Sequence, residues 1–231
     1  RTSFIVKIQA MPINRTYNAT KESRPISVAD ISSMLKYKEA ISDIEHELFA
    51  CDQSAKSCSP VEMAHKMYRL SHNYDTFFTI DMSRYDSTVR FSCQKATIMF
   101  VEHERPGTGT IMDRQQSYRS IKGKIFKCFT RYRRLSGDCE TSFGNSLIVC
   151  ALLTALKREY DFEFLNNGDD TVIACNAEIY DSLAKRLPEW MSEFGLTMTT
   201  TRKTNSIYDV SFCQQKLYDT DGGLTMAMNP W

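Results

Sequence analysis

Acidic residues stand where predicted β-strands end. Residues 76–82 form a short apolar run rich in β-forming side chains, and Asp81 lies near its carboxyl end. Asp169 and Asp170 lie between two further β-type runs in the segment FEFLNNGDDTVIAC, a pattern typical of a β-hairpin with acids at its tip. Magnesium-type ions prefer oxygen ligands and need carboxylates on rigid neighbouring elements. The three acids are therefore candidate metal ligands, although Gly-Asp-Asp taken alone is equally consistent with a plain turn.

Helices and strands alternate around these acids. Hydrophobic spacing predicts helices from Asp30 to Phe49, from about Ser87 to Val101, over residues 141–160 and from Ala177 to Phe194. Ser59-Pro60 predicts a further helix start, Gly195 should end the last helix, and Pro188 is expected to kink or interrupt it. Strand-like patterns occur at residues 3–9, 196–200 and 207–213. This order predicts an α+β fold in which helices back a small antiparallel sheet.

The composition is that of a globular protein, with 42% hydrophobic and 25% charged residues among 231. The eight cysteines include no Cys-x-x-Cys pair, and Cys93, Cys150 and Cys175 lie in apolar segments, which favours reduced thiols in a cytosolic environment. The four histidines lack metal-ligand spacing. No apolar run reaches the roughly 18 residues of a membrane helix. Because the chain begins with Arg1 rather than Met, we expect a fragment of a longer protein.

Basic residues are unevenly placed, although the formal net charge is only +1. The segment from Arg114 to Arg134 contains eight Lys or Arg and no acidic residue. A solvated basic surface is one interpretation of such a run. The aromatic residues interleaved in it also fit a channel that tracks phosphates and stacks bases. They are Tyr118, Phe126, Phe129 and Tyr132, some of which should be core residues.

Four segments occur in the order of the palm motifs of a known polymerase family. They are DMSRYD at 81–86, SGDCETSFGN at 136–145, GDD at 168–170 and FGLTMTTTRK at 194–203. With them the chain resembles the RNA-dependent RNA polymerases of positive-strand RNA viruses. Motifs A, B and C of those enzymes are D-x4-D, S-G-x3-T-x3-N and G-D-D, and motif D is a glycine-led strand that ends in lysine. Order and spacing together carry the resemblance.

The segments around these motifs resemble the same enzymes. Residues 194–203 are similar to motif D of picornaviruses, and Ser211-Phe212-Cys213-Gln214 is similar to motif E of tombusvirus-like and nodavirus-like polymerases. Lys7, Lys21 and Arg24, followed by Pro25-Ile26, resemble motif F, the basic finger segment over the incoming triphosphate. Arg24 would bind triphosphate oxygens bidentately. An ordinary surface position is the alternative for the two lysines.

The resemblance implies template-directed RNA synthesis from ribonucleoside triphosphates, replicating a viral RNA genome with two Mg²⁺ or Mn²⁺ ions. Asp81 and Asp169 would hold both ions, and Asp170 would assist one of them or hold its neighbour in place. Lys203 would be the general acid that protonates the leaving pyrophosphate. A lysine at a strand edge is the alternative for Lys203.

The resemblance also implies residues that recognise the nucleotide. Asp86 and Asn145 offer a carboxylate and an amide, which together can donate to and accept from a ribose 2′-hydroxyl. Thr141 lies four residues before Asn145, so the two share a helix face, and Thr141 could also simply start that helix. Ser136 and Gly137 would form a flexible loop that adjusts template and nucleotide, with a plain turn as the alternative.

The implied architecture is a right-hand polymerase palm with partial fingers and little of the thumb. Residues 76–101 and 136–217 would form the palm, residues 1–75 and 102–135 the fingers, and residues 218–231 the start of the thumb. The implied partners are template RNA, the nascent strand and other viral replicase proteins. The implied location is the host cytoplasm, at membrane-associated replication complexes.

Two other classes of protein remain open from the sequence. A reverse transcriptase shares the palm and the metals, but Asn145 with Asp86 favours ribonucleotides, and Asn-Gly-Asp-Asp departs from the Tyr-x-Asp-Asp usual in that class. A catalytically inactive RNA-binding module is the second alternative. Clustered acids argue against it, because carboxylates repel the phosphates that such a module binds.

Overall fold

The computed structural model describes residues 2–7, 24–28, 31–117, 119–122, 127–135 and 137–228. The β-strands are β1 (Thr2–Lys7), β2 (Arg24–Val28), β3 (Thr76–Met82), β4 (Arg119–Lys122), β5 (Lys127–Thr130), β6 (Phe162–Asn167), β7 (Asp170–Cys175), β8 (Met198–Thr200), β9 (Gln215–Thr220) and β10 (Gly223–Met228). The helices are α1 (Ile31–Ala50), α2 (Pro60–Leu70), α3 (Tyr85–Thr88), α4 (Phe91–Glu104), α5 (Thr108–Ser117), α6 (Thr141–Leu156) and α7 (Ala177–Glu193), and a 3₁₀ turn covers Ile207–Asp209.

The central sheet carries the candidate acids. Its four strands lie in the order β6-β7-β3-β8, and every neighbouring pair is antiparallel. The side chains of β7 alternate between two buried faces, with Val172 and Ala174 on one and Ile173 and Cys175 on the other. Both faces are covered, which explains why this strand is an almost continuous apolar run.

Helices and a hairpin hold the sheet from its two sides. On one face, Leu153 of α6 and Leu187 of α7 belong to a cluster that includes Phe78 of β3. On the other face, Met67 of α2 and the β9-β10 hairpin form a cluster with Phe77. Burial of each large apolar side chain contributes about 1.5–3 kcal/mol. The ends of β3 and β7, where the acids lie, are therefore fixed by packing on both faces.

Two further groups of elements lie outside the central sheet. Helices α1, α4, α5 and α6 share a third cluster that contains Ile41, Val101, Met112 and Phe143. A second four-stranded sheet has the order β2-β1-β4-β5, in which β1 runs parallel to β4 and the other pairs are antiparallel. The predicted α+β class with a small antiparallel sheet backed by helices is confirmed.

Several local predictions are confirmed. Strand β3 has the predicted bounds of 76–82, and the hairpin turns at Gly168-Asp169. Ser59 caps α2 in a capping box, since its side chain accepts from the backbone of Glu62 while the Glu62 side chain accepts from the Ser59 backbone. Helix α7 is followed by Gly195 with φ of 78°, as a helix-ending glycine requires.

Other local predictions are wrong. The interruption of α7 expected at Pro188 does not occur, because Leu187 and Met191 continue the buried face of the helix and offset the missing backbone hydrogen bond, while the alternative of a kink there stays a prediction. Residues 207–213 form a 3₁₀ turn and a tight turn instead of a strand, since Ile207 and Val210, three residues apart, both bury on the same cluster.

The predicted helix from Ser87 to Val101 is divided into α3 and α4. The break falls at Val89, which is fully buried and extended. The helix predicted over 141–160 ends at Leu156. Every cysteine whose side chain is described is a free thiol, and none of the described helices is long and apolar enough to cross a membrane.

Candidate active site

The acids of β3 and β7 lie next to each other. Asp81 and Asp170 are register partners in adjacent antiparallel strands. Such partners project from the same face of a sheet, with Cβ atoms about 4.5–5.5 Å apart. Asp169 occupies the two-residue turn beside them, where Gly168 adopts φ of 75°. The predicted adjacency of the strand ending in Asp81 and the Gly-Asp-Asp hairpin is confirmed.

The electrostatics around Asp81, Asp169 and Asp170 favour a bound cation. Burial raises the pKa of Asp170, and the negative charges of Asp169 and Asp81 raise that pKa further. Within the described ranges, no three His, Cys, Asp or Glu side chains already form a metal-binding group. Mg²⁺ is commonly held by one or two carboxylates together with substrate phosphates and water. The donor set therefore fits ions that arrive with a phosphate-bearing substrate.

Asn166 holds the turn that carries Asp169. Its side chain is fully buried, and its amide nitrogen donates to Gly168 O at 2.9 Å and to the Thr171 hydroxyl at 2.8 Å. Its amide oxygen accepts from Gly168 N at 3.1 Å, and the same N–H also points to the hydroxyl of Ser146 on α6 at 3.2 Å. The turn is thus fixed from inside the hairpin and from the helix behind it.

A second tight turn contacts the β6-β7 hairpin that carries Asp169 and Asp170. Cys213 and Gln214 have φ of 52° and 63°, which is unusual for residues other than glycine, and Phe212 and Gln215 exchange two 2.9 Å backbone hydrogen bonds across them. The Asn167 amide donates to Cys213 Sγ at 3.2 Å. Burial, followed by the charge of Asp170, raises the pKa of Cys213 to about 12, so it remains a thiol that can donate to that carboxylate.

Asp86 and Asn145 form a polar pair between α3 and α6. The Asn145 amide donates to Asp86 Oδ1 at 2.9 Å, which fixes the orientation of the amide. The backbone carbonyl of Asn145 accepts from the buried Tyr85 hydroxyl at 3.1 Å. The amide oxygen of Asn145 is buried and has no hydrogen-bond partner in the described part of the chain. A buried acceptor of this kind is suited to a hydroxyl donor from a ligand.

Comparison with known proteins agrees with these motifs. A family model described as viral RNA dependent RNA polymerase matches residues 47–231. The chain belongs to the viral RNA-dependent RNA polymerase family. It is 24% identical to the RNA-directed RNA polymerase of Turnip crinkle virus over 96% of this chain and 30% of that protein. It is 28% identical to that of Tomato bushy stunt virus (strain Cherry) over 65% of this chain and 19% of that protein. The chain thus spans less than a third of these relatives.

The motif B loop of this family member is tied to the start of α6. Gly137 has φ of 101°, a backbone conformation that favours glycine, and Ser136 lies outside the described residues. The Thr141 hydroxyl donates to Leu135 O at 3.0 Å, and Leu135 N donates to Asp138 Oδ2 at 2.9 Å. In this structure Thr141 therefore fixes the loop, which supports the alternative that it starts the helix.

A buried arginine supports the same loop. Arg134 is 2% exposed, and it donates to Gln94 Oε1 at 2.7 Å and to Glu140 O at 3.0 Å. A Cβ on Gly144 would lie 1.9 Å from Arg134 Nη1, so only glycine permits this approach. Arg134 ends the basic run for which the sequence left open a solvated surface or a template channel. Its buried position shows that this part of the run is structural.

Lys203 is not brought to the carboxylates. Strand β8 pairs Thr199 with Asp81, and the chain then continues along β3 away from the acids, until Thr204 pairs with Phe77. The Lys203 ammonium lies 4.4 Å from the ring centroid of Tyr180 on α7. The expected approach of Lys203 to a triphosphate is not seen in this arrangement, and its role as general acid remains a prediction.

The predicted motif F residues can be placed only by backbone. Lys7 and Arg24 are register partners in the antiparallel β1-β2 pair, so the strand pairing brings two of the predicted basic positions together. Lys21 lies outside the described residues. The triphosphate-binding role of all three remains a prediction.

Sequence reasoning missed several residues of the site. Asn166 and Asn167 looked like part of an ordinary turn, and Ser146 lies one residue after the motif B asparagine without a motif of its own. An asparagine two residues before Gly168, directly after the apolar pair Phe164-Leu165, was the available signal for Asn166. Lys56, whose ammonium lies 3.6 Å from the place a Cβ on Gly168 would take, had no local signal, because it is a single lysine in a polar loop.

Proposed function

We propose that this chain provides the nucleotidyl-transfer site of an RNA-dependent RNA polymerase that copies a viral RNA template from ribonucleoside triphosphates. The register pairing of Asp81 with Asp170, beside Asp169 on the turn, is the observation that carries this proposal. Membership of the polymerase family supports it. A metal site of this kind requires carboxylates far apart in sequence to lie together, and Asp81 lies beside Asp170.

Asp81 and Asp169 would hold two Mg²⁺ or Mn²⁺ ions, with Asp170 assisting. When bound, such ions activate the attacking 3′-hydroxyl and stabilise the pyrophosphate leaving group. Asn166 keeps the turn rigid while Asp81 is fixed by the packing of β3. Burial and the neighbouring charges of Asp169 and Asp81 raise the pKa of Asp170, so its negative charge is unfavourable until a cation binds. The chain thus holds the carboxylates of Asp81, Asp169 and Asp170 in place before a metal ion binds.

Asn145 and Asp86 would select ribose. Asp86 accepts from the Asn145 amide nitrogen, which leaves the buried amide oxygen free to accept from a 2′-hydroxyl. A deoxynucleotide would leave that oxygen unpaired, and a buried unsatisfied acceptor costs about 1–3 kcal/mol. The expected preference for the ribonucleotide is therefore about 5- to 150-fold from this contact.

The remaining sequence-predicted residues complete the proposal. Gly137 and Ser136 would adjust template and nucleotide, while Arg24, Lys7 and Lys21 would lie over the triphosphate. Thr141 would position the loop instead of touching the sugar, because its hydroxyl is engaged with the Leu135 carbonyl. The assignment of these segments to palm, fingers and thumb, the replicase partners and the membrane-associated location are parts of the same proposal.

A substrate-choice assay tests this function. The polymerase that contains these 231 residues is given a defined RNA template, Mg²⁺ and either a ribonucleotide or its deoxy analogue, and kcat/KM is measured for each. The wild-type protein should incorporate the templated ribonucleotide. Asn145→Ala should lower the ribo-to-deoxy ratio of kcat/KM more than it lowers template affinity. Absence of templated incorporation by the wild type would contradict the proposed function, and an unchanged ratio would contradict the sugar assignment alone.

A further inference from the structure

The loop of residues 51–56, on the edge of the central sheet, is hydrogen-bonded to the β6-β7 hairpin. Asn166 N donates to Gln53 O and Ala55 N donates to Asn166 O, each at 2.8 Å, so residues 53–55 extend the sheet beyond β6. The ammonium of Lys66 on α2 donates to the carbonyls of Cys51 and Ser54, at 2.9 and 2.7 Å. This loop is therefore held on both sides.

The next residue of the loop, Lys56, lies against the Gly168-Asp169 turn, which carries the proposed catalytic acid. A Cβ on Gly168 would be 3.6 Å from Lys56 Nζ and 3.8 Å from its Cε. Burial is the main cause of the raised pKa of Asp170 and of Cys213, and the positive charge of Lys56 partly offsets the rise in both. The ammonium is therefore within electrostatic reach of both tight turns.

The ammonium of Lys56 is not engaged by another side chain of the described residues. Its backbone N–H donates to Ser54 Oγ at 3.2 Å, but no ion pair or hydrogen bond of its ammonium occurs among the residues that the structure describes. The side chain is half-buried, and its position is set by a loop with fixed backbone. A cation placed beside the Gly168 turn, close enough to act on Asp170 yet not paired with it, is available to an anionic ligand.

The position of Lys56 shows which part of the substrate it would meet. Across the sheet, the loop and β6 lie on one side of β7, while β3, which leads to Asp86, lies on the other. On the proposed function, Asp86 and Asn145 would hold the sugar of the incoming nucleotide near the segment that follows β3. The growing strand and the incoming nucleotide pair with neighbouring template bases, so the 3′-terminal nucleotide lies beside the incoming sugar while its 3′-hydroxyl reaches the acids. We therefore assign the 3′ end of the growing strand to the side of Lys56 and the Cys213 turn.

We propose that Lys56 binds the last internucleotide phosphate of the growing RNA strand and holds the 3′-hydroxyl of that strand at the catalytic turn. This inference rests on the proposed polymerase function. A lysine suits the task because its ammonium is a compact charge on a flexible stem, which can follow one phosphate through each cycle.

The test uses two changes that remove opposite charges from the same contact. Lys56→Met removes the ammonium, and a methylphosphonate at the last linkage of the primer removes the phosphate charge. Binding of an annealed RNA primer–template and single-nucleotide extension are measured for all four combinations. Lys56→Arg keeps the charge, and Lys185→Met removes an exposed lysine from α7 as a matched control.

Each single change should weaken primer–template binding about 10- to 150-fold, as expected for loss of one hydrogen bond to a charged group. The two changes together should weaken primer–template binding no more than either change alone, because each already removes the contact. Lys56→Met should also lower the salt dependence of binding by about 0.7–0.9 in the slope of log K against log salt. KM for the nucleotide, and the unfolding midpoint, should stay at their wild-type values. Lys56→Arg should restore most of the affinity, and Lys185→Met should behave as wild type.

Additive losses in the double combination, or unchanged binding and slope for Lys56→Met, would overturn the assignment of Lys56. A KM for the nucleotide that rises while primer–template affinity is unchanged would also overturn it, since Lys56 would then act on the incoming substrate. If the wild-type protein binds the primer–template but never extends it, the polymerase function fails instead, and the binding cycle still reports on Lys56.

Discussion

Replacement of Asn166 by alanine should disturb both the stability and the chemistry of the site. The substitution removes the buried hydrogen bonds from the amide to Gly168 O at 2.9 Å and to the Thr171 hydroxyl at 2.8 Å. It also removes the acceptor for Gly168 N, although the Ser146 hydroxyl remains near that N–H. At about 1 kcal/mol for each buried bond lost, the free energy of unfolding should fall by about 2–3 kcal/mol.

That loss corresponds to a decrease of about 5–10 °C in the unfolding midpoint of a domain of this size. The turn that carries Asp169 would also lose its internal support, and misplacement of a reacting group by about 1 Å can lower a rate about 100-fold. Thermal unfolding and single-nucleotide incorporation below the lowered midpoint measure the two effects separately.

Two variants make the test specific. Asn166→Asp keeps the size of the side chain but replaces the donor with a carboxylate that faces the Gly168 carbonyl, so it should be at least as harmful. Asn205→Ala removes an exposed asparagine and should change neither quantity. If Asn166→Ala unfolds at the wild-type temperature and incorporates nucleotide at the wild-type rate, the turn is not held by this side chain.

Two further substitutions follow from the close packing and the charge of the site. Gly144→Ala should lower the free energy of unfolding by about 1–3 kcal/mol, since its Cβ would lie 1.9 Å from the buried Arg134 Nη1, whereas Gly222→Ala meets an ordinary 3.7 Å contact and should be nearly neutral in thermal unfolding. Asp170→Asn should raise the unfolding midpoint of the metal-free protein while it lowers nucleotide incorporation, because the ionised carboxylate is half-buried and repelled by Asp169 and Asp81. An unchanged or lower midpoint for Asp170→Asn would contradict the account of this charge cluster.

The elements that carry the acids could be predicted because their signals are local. Strand β3 is a short apolar run, and the Gly-Asp-Asp hairpin is two such runs around a turn that needs glycine. The Asp86–Asn145 pair spans 59 positions of sequence, so no local pattern could place it. The ordered motifs of the family predicted both partners, and the structure adds the hydrogen bond between them.

The residues that support the site could not be predicted, because their partners are distant in sequence. Lys56 meets Gly168 only because residues 53–55 pair with β6. Arg134 belongs to a basic run that favours a surface, and its burial depends on acceptors from α4 and from the loop before α6. The unbroken helix through Pro188 likewise depends on packing of α7 against the sheet, which outweighs a local signal.

The central claim is that Asp169 is a metal-binding residue of the nucleotidyl-transfer site. Its most direct test is single-nucleotide incorporation, with RNA binding measured in parallel, for Asp169→Asn and for Asp181→Asn, which removes an exposed acid on α7. Asp169→Asn should abolish incorporation at every Mg²⁺ or Mn²⁺ concentration while template binding persists, and Asp181→Asn should remain active. Incorporation by Asp169→Asn at a rate near that of the wild type would contradict the account.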